Sequence, residues 1–322
     1  MCPAAYSTPD AQTTDDVITW LLGGDPAIQY QVHRDLLGHN DPALRRAIAA
    51  GQWASTLLAH RNPSGTWGRG FYQPKWTSTH YTLLDLRNLC LDGSHPVPRE
   101  SVVQLLDREK GQDGGLNPSP SMAASDVCIN GMALNYASYF EAPALSLQSI
   151  VDFLLKQVMP DGGFNCRSNR SGARHSSLHS TLSVLEGILA YRQGGYRYRL
   201  DELETAARSC EAFVLLHRFF RSDHTGDVID ARYLSFPVAP RWKYNVLRAL
   251  DYFRAANRPF HPAMTEALAL IVAKRAADGR WKANAAWPGK VHLEFEAAGQ
   301  PSRLITLAAM RVLAHYRGGD GE

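Results

Sequence analysis

Residues 112–117 read Gln-Asp-Gly-Gly-Leu-Asn and residues 160–165 read Pro-Asp-Gly-Gly-Phe-Asn, so one turn motif occurs twice in nearly the same form. Shorter versions stand at 65–68, Gly-Thr-Trp-Gly, and at 278–281, Asp-Gly-Arg-Trp. The spacing between their glycines is 49 positions from Gly65 to Gly114, 48 from Gly114 to Gly162 and 117 from Gly162 to Gly279. A period of about 50 residues fits one pair of helices with its turns, and the longest interval has room for two longer units.

Each repeat unit contains an apolar helical stretch, the Asp-Gly turn, a polar connector and a second, more apolar helix. The first helices are predicted at residues 42–61, 99–110, 145–158, 200–218 and 262–276. The second helices are predicted at 77–91, 126–140, 175–191, 241–256 and 302–316, and residues 15–22 with 27–37 supply a sixth pair. No convincing alternation of apolar and polar residues indicates a β-strand, so the sequence predicts an all-α chain.

Repeated helix pairs either stack into an open solenoid or close into a ring. In a ring the second helix of each pair contacts a neighbour on both sides and the central bore, so we expect it to be apolar on nearly all faces. Residues 183–189, Ser-Val-Leu-Glu-Gly-Ile-Leu, and residues 305–310, Ile-Thr-Leu-Ala-Ala-Met, fit that pattern. The sequence therefore predicts a single domain, residues 1–322, folded as an (α/α)6 toroid barrel, with residues 1–12 and 318–322 disordered.

Charge and hydropathy exclude several classes of protein. The 34 basic and 31 acidic residues give a net charge of +3 and are scattered along the chain, which provides no footprint for nucleic acid or an anionic membrane. No stretch approaches the roughly 18 apolar residues of a membrane-spanning helix, and the N-terminus lacks the pattern of a signal peptide. The five cysteines are an odd number and do not resemble a disulfide framework. We therefore expect a cytoplasmic protein without a transmembrane segment.

The Asp-Gly turns between an outer and an inner helix resemble the repeats of squalene-hopene cyclases and of protein prenyltransferase β subunits, over residues 53–316. Residues 128–132, 179–187 and 241–244 are also similar to a group of bacterial proteins called squalene-cyclase-like or prenyltransferase-like. The resemblance implies an α/α toroid and a terpene cyclase-like or prenyltransferase-like enzyme. We interpret the turn residues themselves as structural, because glycine supplies positive φ and Trp or Phe joins the outer ring to the inner one.

Two motifs of conventional terpene cyclases are absent from the sequence. There is no Asp-x-Asp-Asp motif, which protonates an alkene in class II cyclases, and residues 223–230, Asp-His-Thr-Gly-Asp-Val-Ile-Asp, have the wrong spacing. There is no Asp-Asp-x-x-Asp motif for magnesium diphosphate either, since Asp15 and Asp16 precede Val-Ile-Thr. Conventional cyclase activity of either class is therefore disfavoured.

Zinc is the cofactor that the resemblance implies. Protein prenyltransferases bind zinc through Asp-x-Cys at the start of one inner helix and a histidine on the next, which matches Asp126, Cys128 and His179, although the expected Thr-x-Tyr after the histidine is absent. Cys166 follows the next Asp-Gly turn, so we expect it at the same end of the ring. Two thiolates, one imidazole and a carboxylate are good zinc ligands. Buried thiols beside a polar wall remain the alternative.

Further residues are predicted around this site. Basic residues at the starts of inner helices would converge near Cys128 and bind a diphosphate, unless they are solvated rim charges: Arg174, Arg241 and Lys243. An apolar bore would be lined by Trp76, His80 and Tyr136, unless these belong to the core. The predicted catalytic residues are His175 and Tyr244. His175 stands four positions before His179, so both histidines would share a helix face.

The leading hypothesis is an enzyme in which ring-bound zinc activates a thiol or water against a hydrophobic substrate. A prenyl diphosphate or another isoprenoid is the expected small-molecule partner, and lanthionine cyclases offer a precedent for a toroid with two Cys and one His on zinc. The alternative is a metal-free toroid that binds a hydrophobic ligand or serves as a scaffold. A homo-oligomer or a helical partner protein is left open by the sequence.

Overall fold

A computed structural model describes residues 11–119, 123–167 and 171–317 of the chain, and every regular element of that part is helical. The α-helices are α1 Ala11–Leu22, α2 Pro26–Asp35, α3 Pro42–Ala47, α4 Gln52–Ala59, α5 Thr79–Asn88, α6 Pro96–Arg108, α7 Val127–Tyr139, α8 Ala144–Lys156, α9 Leu178–Gln193, α10 Leu200–Leu216, α11 Val246–Ala255, α12 Thr265–Ala273 and α13 Arg303–Arg317. Between them lie short 3-10 turns and isolated β-bridges only. The predicted all-α class is confirmed.

Six helix pairs form a closed ring. The inner helices are α2, α5, α7, α9, α11 and α13, and each follows its outer partner, α1, α4, α6, α8, α10 or α12, along the chain. Neighbouring inner helices pack together, and the last of them, α13, packs against the first, α2. Between α2 and α5, Gln31 Nε2 donates a hydrogen bond to the carbonyl oxygen of Asn88 at 3.4 Å. The predicted toroid of six pairs is therefore confirmed.

Several predicted helix boundaries are wrong. The single helix expected at 42–61 is two helices, because Gly51 is extended between a 3-10 turn and α4. The helices expected from His175 and Arg241 begin at Leu178 and Val246, so the residues before them lie in loops. The disorder predicted for residues 1–12 and 318–322 falls outside the described residues, apart from positions 11 and 12, which begin α1.

The turn glycines take the conformation that the sequence predicts. Their φ angles are +85° at Gly65, +86° at Gly114, +93° at Gly162 and +79° at Gly279. A side chain is disfavoured in this left-handed region, so glycine is the residue that lets the chain reverse after the four outer helices α4, α6, α8 and α12.

Each turn is tied to the inner helix that follows it. Two positions after the glycine, a backbone N–H donates to a side-chain oxygen in the first turn of that helix: Trp67 to Thr79, Leu116 to Asn130, Phe164 to Thr181 and Trp281 to Thr306. The indole N–H groups of Trp67 and Trp281 donate in the other direction, to carbonyl oxygens of Leu57 and Ile271 on the outer helices, both at 2.7 Å. The tryptophans thus join the two rings of helices.

The helices α7 and α9 approach each other through glycine. A Cβ atom added at Gly131 would lie 2.7 Å from the carbonyl oxygen of Ser183, and one added at Gly187 would overlap the carbonyl oxygen of Gly131. Only glycine permits backbones to come this close. The contact lets α7 and α9 pack closely along their central turns.

None of the helices within the described ranges combines the length and the apolar character that crossing a membrane requires.

Candidate functional site

All six inner helices run in the same direction, because each is preceded by an outer helix. We call the end of the ring where they begin the N-terminal mouth and the end where they finish the C-terminal mouth. Most of the sequence-predicted site residues precede an inner helix or stand in its first turn, at the N-terminal mouth, whereas Tyr136 lies near the end of α7.

Two predicted residues, Cys128 and Cys166, meet at the N-terminal mouth. The Cys166 sulfur accepts hydrogen bonds from the backbone N–H of Cys128 at 3.0 Å and from the Ser180 hydroxyl at 3.3 Å. Cys128 stands at the second position of α7, so the Cys166 sulfur faces the positive end of that helix. Helix N-termini and neighbouring donors stabilise a thiolate.

The two thiols have divergent acidities. A hydrogen bond from the Cys128 thiol, together with the Ser180 hydroxyl and backbone N–H groups, outweighs burial and lowers the pKa of Cys166 to about 7. The same hydrogen bond, burial and the nearby Cys166 charge raise the pKa of Cys128 well above its usual range. The pair therefore acts as a thiol that donates to a thiolate at neutral pH.

This arrangement predicts that Cys166 reacts fastest with iodoacetamide among the described cysteines, with a rate that rises through about pH 7. Cys90 and Cys210 are buried and serve as internal references. Mass spectrometry of tryptic peptides after timed labelling gives the rate at each cysteine. A Ser180→Ala variant should shift the midpoint upward. Labelling of Cys166 no faster than that of Cys210 would contradict the assignment.

His179 is held as a neutral hydrogen-bond acceptor. Its Nδ1 accepts the backbone N–H of Tyr244 at 2.7 Å, so the ring proton sits on Nε2. Burial, with Lys243 and Arg248 nearby, lowers the pKa of His179 to about 4. A metal-bound histidine donates its second nitrogen to a neighbour, whereas here that nitrogen accepts.

The predicted zinc ligands do not converge as a set. In the described ranges, no three His, Cys, Asp or Glu side chains form a group that could hold a metal ion. Cys128 and Cys166 are in contact, Asp126 is buried at the N-cap position of α7, and the His179 tautomer does not suit a ligand. These residues do not fit a zinc site, and zinc binding stays a prediction from the resemblance.

The predicted catalytic pair is not assembled. His175 is exposed in the loop before α9 and cannot share a helix face with His179, because α9 begins at Leu178. The Tyr244 hydroxyl is fully buried and donates to the carbonyl oxygen of Phe219 at 2.6 Å. Neither side chain is placed to act on a shared substrate.

The predicted cationic cluster is also divided. Arg174 is exposed in the loop before α9, whereas Arg241 is buried, with its guanidinium 3.4 Å from Asp85 and donating to the carbonyl oxygen of Trp76. The Lys243 ammonium lies 3.9 Å from the ring centroid of Trp242. The three basic residues therefore do not converge on one anion.

The predicted aromatic lining belongs to the core. His80 and Tyr136 are fully buried and their polar atoms pair with each other at 3.2 Å, while Trp76 donates its indole N–H to the carbonyl oxygen of Pro288. Burial, with Lys75 nearby, lowers the pKa of His80 to about 3, so it is neutral. These three side chains do not line the central cavity.

Lys75 supplies a second cation at the N-terminal mouth that the sequence analysis did not predict. The Lys75 ammonium lies 5.1 Å from the ring centroid of Trp242, the same ring that Lys243 contacts, and Lys243 also lies 4.7 Å from the Trp287 centroid. Burial, Arg232 and Lys75 lower the pKa of Lys243. The mouth thus combines a thiol pair with two ammonium groups held on aromatic rings.

The bore of the ring contains a cavity of about 520 Å³. We call it the central cavity. It is lined by all six inner helices and by residues 236–238, 240 and 241. Six arginines and three carboxylates face it: Arg34, Arg87, Arg241, Arg248, Arg254, Arg311, Asp35, Glu186 and Asp251. The bore is therefore polar and cationic where the sequence predicted an apolar one.

The carboxylates of the central cavity are shared between arginines. Asp35 pairs with Arg34 and with Arg311, and Asp251 pairs with Arg311 and with Arg254. Two carboxylates thus neutralise two of these three guanidinium groups. One positive charge of this network remains without a counter-charge.

The other cavity arginines differ in their partners. Arg248 donates two hydrogen bonds to Glu186, at 2.6 and 2.7 Å. Arg241 is paired with Asp85. Burial raises the pKa of the Asp85 carboxyl, although the nearby guanidinium acts to lower it. Arg87 donates to the side chain of Asn88, and no carboxylate oxygen of the described chain lies within 4.0 Å of it. The wall as a whole carries three more arginines than carboxylates.

Comparisons with known proteins add a likeness of fold. No family model and no curated protein matches the chain. Among solved structures, the type II terpene cyclase MstE from Scytonema, solved with its product merosterolic acid A, matches 81% of this chain and 94% of its own, at 12% identity and a TM-score of 0.32. A likeness at that level carries no argument about activity, and the ring assignment rests on the helices themselves.

Proposed function

We propose that this toroid binds a small amphiphilic anion in its central cavity. An isoprenoid diphosphate, the partner that the sequence resemblance implies, belongs to this class, as does an isoprenoid carboxylate. The observation that carries the proposal is the excess of arginine over carboxylate on the wall of the central cavity.

The electrostatic argument concerns uncompensated charge. A buried cation costs several kcal/mol unless a counter-charge or hydrogen-bond acceptors replace its water. Asp35, Asp251 and Glu186 on the wall, together with Asp85 beside Arg241, compensate four of the six arginines. A mobile anion would compensate the others, and the low dielectric of the bore would strengthen that attraction.

Much of the rest of the wall is apolar, beside the polar side chains of Gln31, Asn88, Gln193 and Asn245. Leucine, isoleucine, alanine and aromatic side chains alternate with the arginines: Leu84, Leu189, Leu247, Leu304, Ile305, Leu307, Ala308 and Phe236. Ligand pockets of about 300–1,000 Å³ accept small organic molecules, so the cavity volume suits one such ligand. A neutral hydrocarbon would contact this wall but leave the arginines without a counter-charge.

Binding of farnesyl diphosphate tests the proposal. We expect saturable binding by isothermal titration calorimetry, with farnesol at least tenfold weaker because it lacks the charge. Ala308→Phe should abolish binding, since Ala308 lines the central cavity and a phenyl ring would occupy it. Ala314→Phe is the matched control, because Ala314 is an exposed residue of the same helix α13.

Charge variants refine the test. Arg34→Gln and Arg254→Gln each remove one cation while Arg311 still pairs with Asp35 and Asp251. Each variant should lose more affinity for farnesyl diphosphate than free energy of unfolding, with both measured at the same salt concentration. Equal binding of farnesol and farnesyl diphosphate, or equal binding by Ala308→Phe and Ala314→Phe, would overturn the proposal.

A further inference from the structure

A second cavity, of about 420 Å³, lies at the C-terminal mouth. We call it the C-terminal pocket. Its lining includes Arg45, Arg87, Ser138 and Tyr139, and it shares Arg87, Tyr139 and Gln193 with the central cavity. Ser138 stands ten residues after Cys128 on α7, so the pocket is about 15 Å along that helix from the thiol pair.

Two arginines flank one tyrosine in this pocket. The guanidinium carbons of Arg45 and Arg87 lie 5.7 and 5.8 Å from the ring centroid of Tyr139. Arg45 also donates to the Tyr139 hydroxyl at 3.1 Å, which in turn donates to the carbonyl oxygen of Leu91. The tyrosine thus fixes both guanidinium groups at the pocket wall.

Neither arginine forms a close ion pair with a carboxylate of the described residues. Within the described part of the chain, no carboxylate oxygen lies within 4.0 Å of Arg45 or Arg87. Two acidic residues line the pocket. Asp92 accepts hydrogen bonds from Ser94 and interacts electrostatically with Arg45 without direct contact, and Glu141 faces Arg99 at 3.4 Å. The two guanidinium groups keep their capacity to bind an anion.

Three donors of the pocket have no acceptor. The Nε atoms of Arg45 and Arg87 and the Oγ of Ser138 are buried, and none has a hydrogen-bond partner among the described residues. Ser138 as a whole is only 2% exposed. A buried donor without an acceptor costs about 1–3 kcal/mol. A ligand that carries several oxygen acceptors would satisfy all three donors.

We infer that the C-terminal pocket binds a phosphoryl group. Guanidinium groups match phosphate oxygens with paired, charge-assisted hydrogen bonds, and a serine hydroxyl supplies a further donor. The group is either free phosphate or the phosphoryl end of a larger ligand. The inference deepens the proposed function in the second case, because Arg87 and Tyr139 also line the central cavity.

The test compares Arg45 with its neighbour Arg46. Both stand on α3, but Arg46 is exposed and lies outside the pocket. Titration calorimetry with inorganic phosphate and pyrophosphate at constant ionic strength should give saturable binding to the wild type. Arg45→Gln should weaken it at least tenfold, and Arg46→Gln should leave it unchanged. Ser138→Ala is a smaller change that keeps the test valid if Arg45→Gln fails to fold, and should weaken binding about threefold.

The Ala308→Phe variant separates the two sources of the phosphoryl group. Unchanged phosphate and pyrophosphate binding by this variant supports a site for the free anion. If only farnesyl diphosphate binds, and both Arg45→Gln and Ala308→Phe weaken it, the pocket holds the phosphoryl end of a larger ligand. Equal effects of Arg45→Gln and Arg46→Gln on every ligand would overturn the inference, while sensitivity to Ala308→Phe alone would leave the proposed function standing.

Discussion

Replacing Asp251 with asparagine is expected to lower the free energy of unfolding by about 3–5 kcal/mol at pH 7. Asp251 accepts hydrogen bonds from Arg311 and Arg254 in the central cavity. Its loss leaves both guanidinium groups facing a wall that already has too few carboxylates. Removing one member of a buried ionic network costs this much because the remaining charge stays desolvated.

The pH dependence of this contribution follows from the acidity of Asp251. Burial alone would raise its pKa, but Arg311 and Arg254 outweigh burial and lower the pKa to about 2, from 3.8 in an unfolded chain. The ionised form is therefore favoured by folding. The part of the stability that depends on this ionisation, about 2 kcal/mol, is present above about pH 4 and is lost as the pH falls through about 2.

Chemical denaturation at several pH values measures both effects. Asp251→Asn should be less stable than the wild type at pH 7 and should lose less stability between pH 4 and pH 2. Asp107→Asn is the control, because Asp107 is an exposed residue of α6. An Asp251→Asn variant within about 0.5 kcal/mol of the wild type at pH 7 would show that the network contributes little.

Stability and binding should respond to Asp251 in opposite directions. The asparagine variant raises the cation excess of the central cavity, so its folded fraction should bind an anion more tightly than the wild type does. A ring that is stabilised by its carboxylates and binds through its arginines would show this opposition. The cavity wall thus connects the energetics of the fold to the proposed function.

The fold could be predicted because its determinants are local. The turns need a residue with positive φ, and glycine supplies it locally. The repeat length of about 50 residues gives the number of helix pairs, and their packing is not needed for that count. Ring closure followed from the apolar character of α9, whose residues are mostly buried. Each of these features depends on residues that are close together in the sequence.

The site was harder to predict because it depends on helix rotation and on exact helix starts. The contact of Cys128 with Cys166 was expected from their places in successive repeats. The prediction that His175 shares a helix face with His179 was wrong, because α9 begins three residues after His175. Because the inner helices were expected to be apolar, the charged residues of one of them were not recognised as part of the cavity wall. Arg248, Asp251 and Arg254 recur every three positions in a predicted inner helix, which places them on one face. Arg45 and Arg87 offered no such signal, because distant segments bring them together.

Replacing Gly187 with alanine is expected to lower the free energy of unfolding by about 2–3 kcal/mol, even though alanine favours a helix over glycine by about 1 kcal/mol. The added Cβ would overlap the carbonyl oxygen of Gly131, which is fixed within α7 and cannot rotate away. The helices α7 and α9 must then separate. Cys128 belongs to α7, and Cys166 is hydrogen-bonded to Ser180 of α9, so we expect separation of the helices to raise the alkylation midpoint of Cys166 from about 7 towards that of an ordinary thiol.

A matched glycine elsewhere distinguishes this clash from a general effect of alanine. Gly226 has φ +77° and no atom within 4 Å of an added Cβ, so Gly226→Ala should cost only the strain of a left-handed residue, about 1 kcal/mol. Urea denaturation of both variants gives the comparison, and the alkylation profile should change only in Gly187→Ala. Equal losses of stability, or an unchanged Cys166 midpoint in Gly187→Ala, would mean that the α7–α9 contact tolerates a methyl group and does not position the thiol pair.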